Sequence, residues 1–177
     1  MTQPLPQISE RALAMRHAFD QSFAEPVRTA ATDTADFVAL RLGDETYAVA
    51  MEEIGGLHAD VAVTPCPSPF PEFIGLAAFR GALTPVYDLA SICGYPPATA
   101  RWLLLAKGGA VAFAFAAFDS HFRIERSAIA VREQTASARY TTAVAARNGQ
   151  ALPIISLSSI VSGIADRVGA PPLPKGA

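Results

Sequence analysis

Cysteine is nearly absent: Cys66 and Cys93 are the only two in 177 residues, too few for a disulfide scaffold. Excess charge of one sign is missing as well. Lys+Arg total 14 against 16 for Asp+Glu, a formal net charge of −2. That balance argues against a nucleic-acid binder with a basic face, because phosphate neutralisation supplies most of such affinity. No long apolar run occurs. The most hydropathic stretch, Trp102 to Phe118, is cut by Lys107-Gly108-Gly109, whereas a spanning helix needs about 20 mostly apolar residues in a row. The start, Met1-Thr-Gln-Pro-Leu-Pro6, has neither the basic nor the apolar segment of an export signal. The expectation is a cytoplasmic chain with reduced cysteines and no membrane insertion.

The equipment of catalysis is also lacking. The three histidines, His17, His58 and His121, lie far apart, and no C-x-x-C, H-E-x-x-H or H-x-x-x-H spacing exists, so neither a metal site nor a cofactor is expected. No P-loop, G-x-G-x-x-G or G-x-S-x-G occurs. The glycines mark turns instead, and Asp88 reads as a helix cap. Cys93 ends an apolar helical run and reads as an inert thiol, which leaves Cys66, set among prolines, as the one nucleophile worth probing. The chain is expected not to be an enzyme.

Hydrophobic residues, by contrast, make up 51% of the chain and charged ones 17%, below the roughly 25% charged of an average globular protein. There is material for a core and a surplus for an interface, and the disordered class is excluded for most of the length. Near the start, Ile8, Ala12, Met15, Phe19 and Phe23 recur at helical spacing. Ser9 can cap this helix, and Pro26 stops it. Residues 1–35 therefore read as an amphipathic helix and a small, polar linker. The stripe either packs on the main domain or, through Met15, Phe19 and Phe23, docks on another protein.

From residue 36 the period changes to two. Phe37–Leu42 and Thr46–Ala50 read as strands around a tight turn, and Ile74–Phe79 and Ala82–Tyr87 as a hairpin around Arg80-Gly81. Asp88 then caps a short helix. Residues 101–161 repeat the plan: Arg101–Lys107 and Ala110–Phe118 flank Gly108-Gly109, while Ala143–Arg147 and Gln150–Ile155 flank Asn148-Gly149. Thr84 to Cys93 lies over Leu152 to Val161 at an offset of 68 residues. Pro85 and Pro153 are placed at strand starts, and Pro65, Pro67, Pro69 and Pro71 form an extended crossing. The fold class is all-β: two similar small barrels, spanning roughly 36–95 and 100–164, each closed by a short helix and fused along a common core. Residues 165–177, with Pro171-Pro-Leu-Pro174, read as a disordered tail.

Phe37 to Tyr47, Thr64-Pro65, and above all Gly75-Leu-Ala-Ala-Phe-Arg-Gly-Ala-Leu-Thr-Pro-Val-Tyr-Asp-Leu89 resemble the CheW-like family. Its central signature runs from an Arg-Gly turn into a strand ending Pro-Val-x-Asp-Leu. The resemblance covers roughly residues 36–164. It implies two SH3-like five-stranded β-barrels on a shared hydrophobic core. It also implies a non-catalytic adaptor coupling methyl-accepting chemoreceptors to the histidine kinase CheA. By position, Arg80 takes the place of the signature arginine, with Phe79, Gly75 and Gly81 around it, in the region that accepts the receptor tip. Ile54, Gly56, Leu57 and Val63 fall where the family meets the kinase's regulatory domain. The chain departs from the family at Ala78 (usually Asn), Ala116 (commonly Asp) and Ser156 (acidic or Asn), and in its large Phe113, Phe115, Phe118 and Phe122. These changes imply a divergent member. An alternative is a paralogue that has lost one partner surface and serves an auxiliary chemosensory pathway through its N-terminal helix.

Overall fold

The computed structural model describes residues 33–97, 99–131, 140–147 and 149–169; the N-terminal helix with Met15, Phe19 and Phe23 lies outside them. Among the described residues eleven strands form two sheets. They are β1 (Thr34–Leu42), β2 (Glu45–Ala50), β3 (Ile54–Ala59), β4 (Phe73–Phe79), β5 (Ala82–Asp88), β6 (Trp102–Ala106), β7 (Ala112–Phe115), β8 (Ala117–Glu125), β9 (Ile129–Val131), β10 (Thr141–Arg147) and β11 (Gln150–Ile155). Two helices follow matching strands, α1 (Leu89–Ile92) after β5 and α2 (Leu157–Gly169) after β11. The strand orders are β8-β1-β2-β11-β10-β9 and β3-β6-β7-β5-β4. The architecture is mainly β, as expected, although the three-residue β9 gives one sheet a sixth strand.

The duplication is real but its two copies do not make one barrel each. The spans 36–95 and 100–164 cut across both sheets. The six-stranded sheet takes β1 and β2 from the first span and β8 to β11 from the second, and the five-stranded sheet takes β3 to β5 from the first and β6 and β7 from the second. The physical reason is an exchange of hairpins. β11 pairs in parallel with β2 (Ile154 with Ala48, Ile155 with Val49), and β5 pairs in parallel with β7 (Val86 with Ala112, Tyr87 with Phe113). Hairpin β1–β2 thus completes the sheet of β10–β11, and hairpin β6–β7 completes that of β4–β5. Strand β7 ends at Phe115 and β8 begins at Ala117 in the other sheet, so Ala110–Phe118 is not one strand. Pro85 and Pro153 are mid-strand rather than at strand starts; each immediately precedes the residue where parallel pairing begins. Their missing N–H therefore falls where one flank of the strand is unpaired.

Burial follows the same plan. Between the sheets lies the largest cluster, which includes Leu40, Leu42, Val49, Tyr87, Leu89, Leu104, Phe113, Phe115, Ile155, Leu157, Ile160 and Ile164. Equivalent positions fill it from both copies: Leu40 and Ala106, Val49 and Phe113, Tyr87 and Ile155, Leu89 and Leu157. Inside each barrel the side chains are smaller. Ala39, Ala48, Ala143 and Ala145 line one, and Ala77, Ala112 and Ala114 the other, as a tightly curled sheet requires.

Helix α2 extends the ordered domain beyond residue 164 to Gly169, correcting the expected start of a disordered tail. Ile164 is buried in the shared core, and Arg167 pairs with the buried Glu72 while lying over the Phe70 ring. The helix start is equally tied down. Asp88 caps α1 by accepting from the Ser91 N–H at 3.1 Å. At the matching position of α2, Ser156 accepts from the Ser159 N–H at 3.2 Å, and the Glu53 carboxylate adds the negative charge that serine lacks. Glu53 accepts from the Leu157 N–H at 2.8 Å, the Ser158 N–H at 3.3 Å and the Ser158 hydroxyl at 2.6 Å. A carboxylate at a helix N-terminus is favoured by the exposed N–H groups and the helix dipole. Replacing it by Glu53→Ala is expected to lower unfolding free energy by about 1–2 kcal/mol in urea titration; an unchanged midpoint would show that Ser156 suffices.

Candidate protein-docking site

The hairpin β4–β5 turns through two residues, with Phe79 paired to Ala82 across it. Both turn residues have positive φ, 49° at Arg80 and 85° at Gly81, as a type I′ turn demands. Glycine meets that demand at little cost, whereas an L-residue other than Asn or Asp is strained there. Arg80 is exposed, and among the described residues it has neither a hydrogen-bond nor an ion-pair partner. At the equivalent turn the sequence places Asn148-Gly149, the low-strain choice.

The other residues assigned to this region have structural places. Gly75, in β4, has φ 144°, and a Cβ there would lie 2.1 Å from the Thr64 carbonyl oxygen. That contact belongs to a bridge in which the Thr64 N–H donates to Leu76 O at 2.8 Å and the Leu76 N–H donates to Thr64 O at 2.9 Å. Gly75 therefore lets the extended proline segment cover the outer edge of β4. Phe79 is buried, its ring 4.9 Å from that of His58. Arg80 alone of the four offers a side chain to a partner, with exposed Ala78 and Leu83, paired to each other beside the turn, as apolar company.

Ile54, Gly56 and Leu57 lie on β3, which is the opposite edge of the five-stranded sheet and, among the described residues, pairs only with β6. Their side chains do not share one face. Ile54 and Leu57 pack half-buried against the core between the sheets, whereas a Cβ on Gly56 would meet the His58 ring, on the side of Phe79. Val63, beyond the strand, packs half-buried on the barrel interior. The surface offered here is therefore the unpaired backbone edge of β3, and the aliphatics behind it hold it in place.

The equivalent edge of the other sheet is β8, and it is armoured. Arg41 bridges Asp119 at 3.1 Å; Arg123 and His121 bridge Asp36 at 2.9 and 3.2 Å; Arg126 bridges Asp33 at 3.0 Å. The Arg123 guanidinium holds the Asp36 carboxyl below its ordinary value. Charged edges resist strand addition, and β3, reading Ile54-Gly-Gly-Leu-His-Ala59, carries no Asp, Glu, Lys or Arg.

Edge and turn border one groove of about 390 Å³, lined by Gly55 and His58 of β3, Phe79 and Arg80 of the hairpin, Thr84, and Gly108-Gly109. Sequence reasoning named Arg80 and β3 but missed that His58 joins them; a lone histidine in a loop-like stretch gave no signal. A second cleft, of about 520 Å³, opens at the far end of this barrel beside Val61, Val63 and Ile74, with Asp60 and Arg101 paired on its rim. Among the described residues no three potential metal ligands come together, and no helix is long and apolar enough to cross a membrane. Burial, with the neighbouring Asp88 charge, pushes the Cys93 thiol up to about 12.

Two outcomes follow. Arg80→Asn relieves the turn and is expected to raise unfolding free energy by about 1 kcal/mol in urea titration; a loss of stability would show that Arg80 is held by contacts within the chain. In thiol titration with a chromogenic disulfide at pH 8, the native protein is expected to react at one cysteine at most, and both only after unfolding; prompt reaction at Cys93 would contradict its burial.

Comparison with known proteins places this geometry. No curated protein matches the chain. Among solved structures, the scaffolding protein TtCheW from Thermoanaerobacter tengcongensis is similar, with a TM-score of 0.63 and 18% identity over 70% of this chain and 89% of that one, a likeness of fold. The family model described as CheW-like domain matches residues 36–165, most of the chain, and the two exchanged barrels, the Arg80-Gly81 turn and the capped strand ends all lie within that span. The chain belongs to the CheW-like domain family.

Proposed function

We propose that this protein is a non-catalytic, cytoplasmic adaptor of a bacterial chemosensory system, coupling the cytoplasmic tip of methyl-accepting chemoreceptors to the regulatory domain of the histidine kinase CheA. Membership of the CheW-like family supports the general role of a chemotaxis scaffold. The observation that carries the finer reading is the pairing of two features on one barrel that are unsatisfied among the described residues: the β3 edge and the exposed Arg80. An open strand edge takes up a partner's backbone, and a strained loop cation recognises a carboxylate or a polar helix end. Neither demands turnover.

The kinase domain is assigned to the β3 edge and the receptor tip to the Arg80 turn. Of the departures from the family pattern, Ser156 is compensated by Glu53, while Ala78 leaves the receptor side with a smaller, apolar contact.

Two exposed substitutions separate the surfaces without touching the core. Ala59→Lys puts a charge on the β3 edge and is expected to weaken binding of the cognate kinase regulatory domain by roughly tenfold, about 1.4 kcal/mol, with receptor binding retained. Arg80→Glu is expected to do the reverse. Titration calorimetry of each variant with each partner reads the result. If both variants bind both partners as the parent does, the assignment of surfaces is wrong; if the parent binds neither, the adaptor role is.

A further inference from the structure

The five-stranded barrel closes without a hydrogen-bonded seam. Its terminal strands, β3 and β4, are not paired to each other. They meet through the His58 ring of β3 against the Phe79 ring of β4, 4.9 Å apart and tilted by 53°. The six-stranded barrel makes the same closure differently. Arg147, 68 positions after Phe79, donates to the Ser120 hydroxyl of β8 at 3.2 Å and stacks over the Phe122 ring at 4.3 Å. Register makes Phe122 the counterpart of His58: His58 pairs with Leu103 and Leu103 with Ala114, Phe122 pairs with Phe37 and Phe37 with Ala50, and Ala114 and Ala50 are equivalent as Phe113 and Val49 are.

One seam is thus held by a directional hydrogen bond and a cation–π contact, and the other, among the described residues, by the His58–Phe79 ring contact beside a groove whose lining includes Gly55, Gly108 and Gly109. The lighter seam is the one between the bare β3 edge and the Arg80 turn. His58 sits on the edge strand; Phe79 is the residue immediately before Arg80.

We propose that His58 is a positioning residue that couples the two surfaces: occupancy of the β3 edge shifts the His58–Phe79 contact and so changes the affinity of the Arg80 turn for its own partner, and reciprocally. This rests on the adaptor reading above for the identity of the two partners. Linkage requires the same factor in both directions. A chain of packed side chains between two sites carries such coupling only where it has two arrangements, and the coupling proposed places them at the His58–Phe79 contact, where β3 and β4 are not paired to each other among the described residues.

The test is calorimetric titration of the full chain with the cognate receptor-tip hairpin, alone and with the cognate kinase regulatory domain at saturation. The parent is expected to change receptor affinity by about fivefold or more, the lower range of measured couplings. His58→Ala is expected to bring that ratio below about twofold, whatever change it makes in the affinity of each partner alone. His58→Phe, which keeps an aromatic ring on Phe79, is expected to restore it. A ratio near one in the parent, or an undiminished ratio in His58→Ala, overturns the coupling and leaves the adaptor role standing. Failure of the parent to bind either partner overturns both.

Discussion

The packing of two curled sheets against one common cluster is the constraint on which the rest of this molecule depends. Leu40, Leu104, Phe113, Phe115 and Ile155 are almost wholly buried there, and they come from both sheets and from both halves of the duplicated chain. The interior of each barrel is a smaller cluster than the shared one, and about half of its buried residues are alanine. Apolar area removed from water stabilises at roughly 25 cal/mol per Å², and the large side chains that contribute most of it lie between the sheets. Exchange of hairpins makes that dependence mutual, because each sheet is completed by strands whose sequence neighbours belong to the other.

A rigid body of this kind suits an adaptor, whose work is to hold partners at a defined separation. What distinguishes the two barrels is the treatment of their edges. Strand β8 carries ion pairs, which resist strand addition; β3 has no charged residue and, among the described residues, no strand on its outer side. The asymmetry arose within a duplicated plan, so the bare edge is a departure from its own counterpart. The same holds at the turns, where the sequence of one copy reads Asn-Gly and the other has the strained Arg80-Gly81. Both departures lie on the same barrel, bordering the same groove. Strain and an unpaired edge cost stability, and their coincidence is the physical reason to place recognition there.

Much of this was legible in the sequence. Period-two patterning, the 68-residue repeat, the Asp88 and Ser156 caps and the Arg80-Gly81 turn are local signals, and each names its own structure. Sheet membership was not legible, because hairpin exchange leaves every local pattern unchanged and alters only which hairpins lie side by side. Strand β9 and the extension of α2 were missed for lack of a periodic signal of sufficient length. The carboxylate of Glu53 at the start of α2 lies about one hundred residues away in sequence, and no spacing rule reaches that far. In the site, Ile54, Leu57 and Val63 were picked out by resemblance alone, and nothing in the sequence could say that their side chains face inward while the backbone of β3 forms the edge.

The shared core makes one demand that no single contact can evade: both sheets must unfold together. Equilibrium urea unfolding, followed at Trp102 for the five-stranded sheet and by amide NMR signals of β10 and β11 for the other, tests it directly. The account requires one transition, with the same midpoint and the same slope from both probes. Two separated transitions, one per sheet, would mean that each barrel stands alone, and the common core would then be no more than a contact between independent parts.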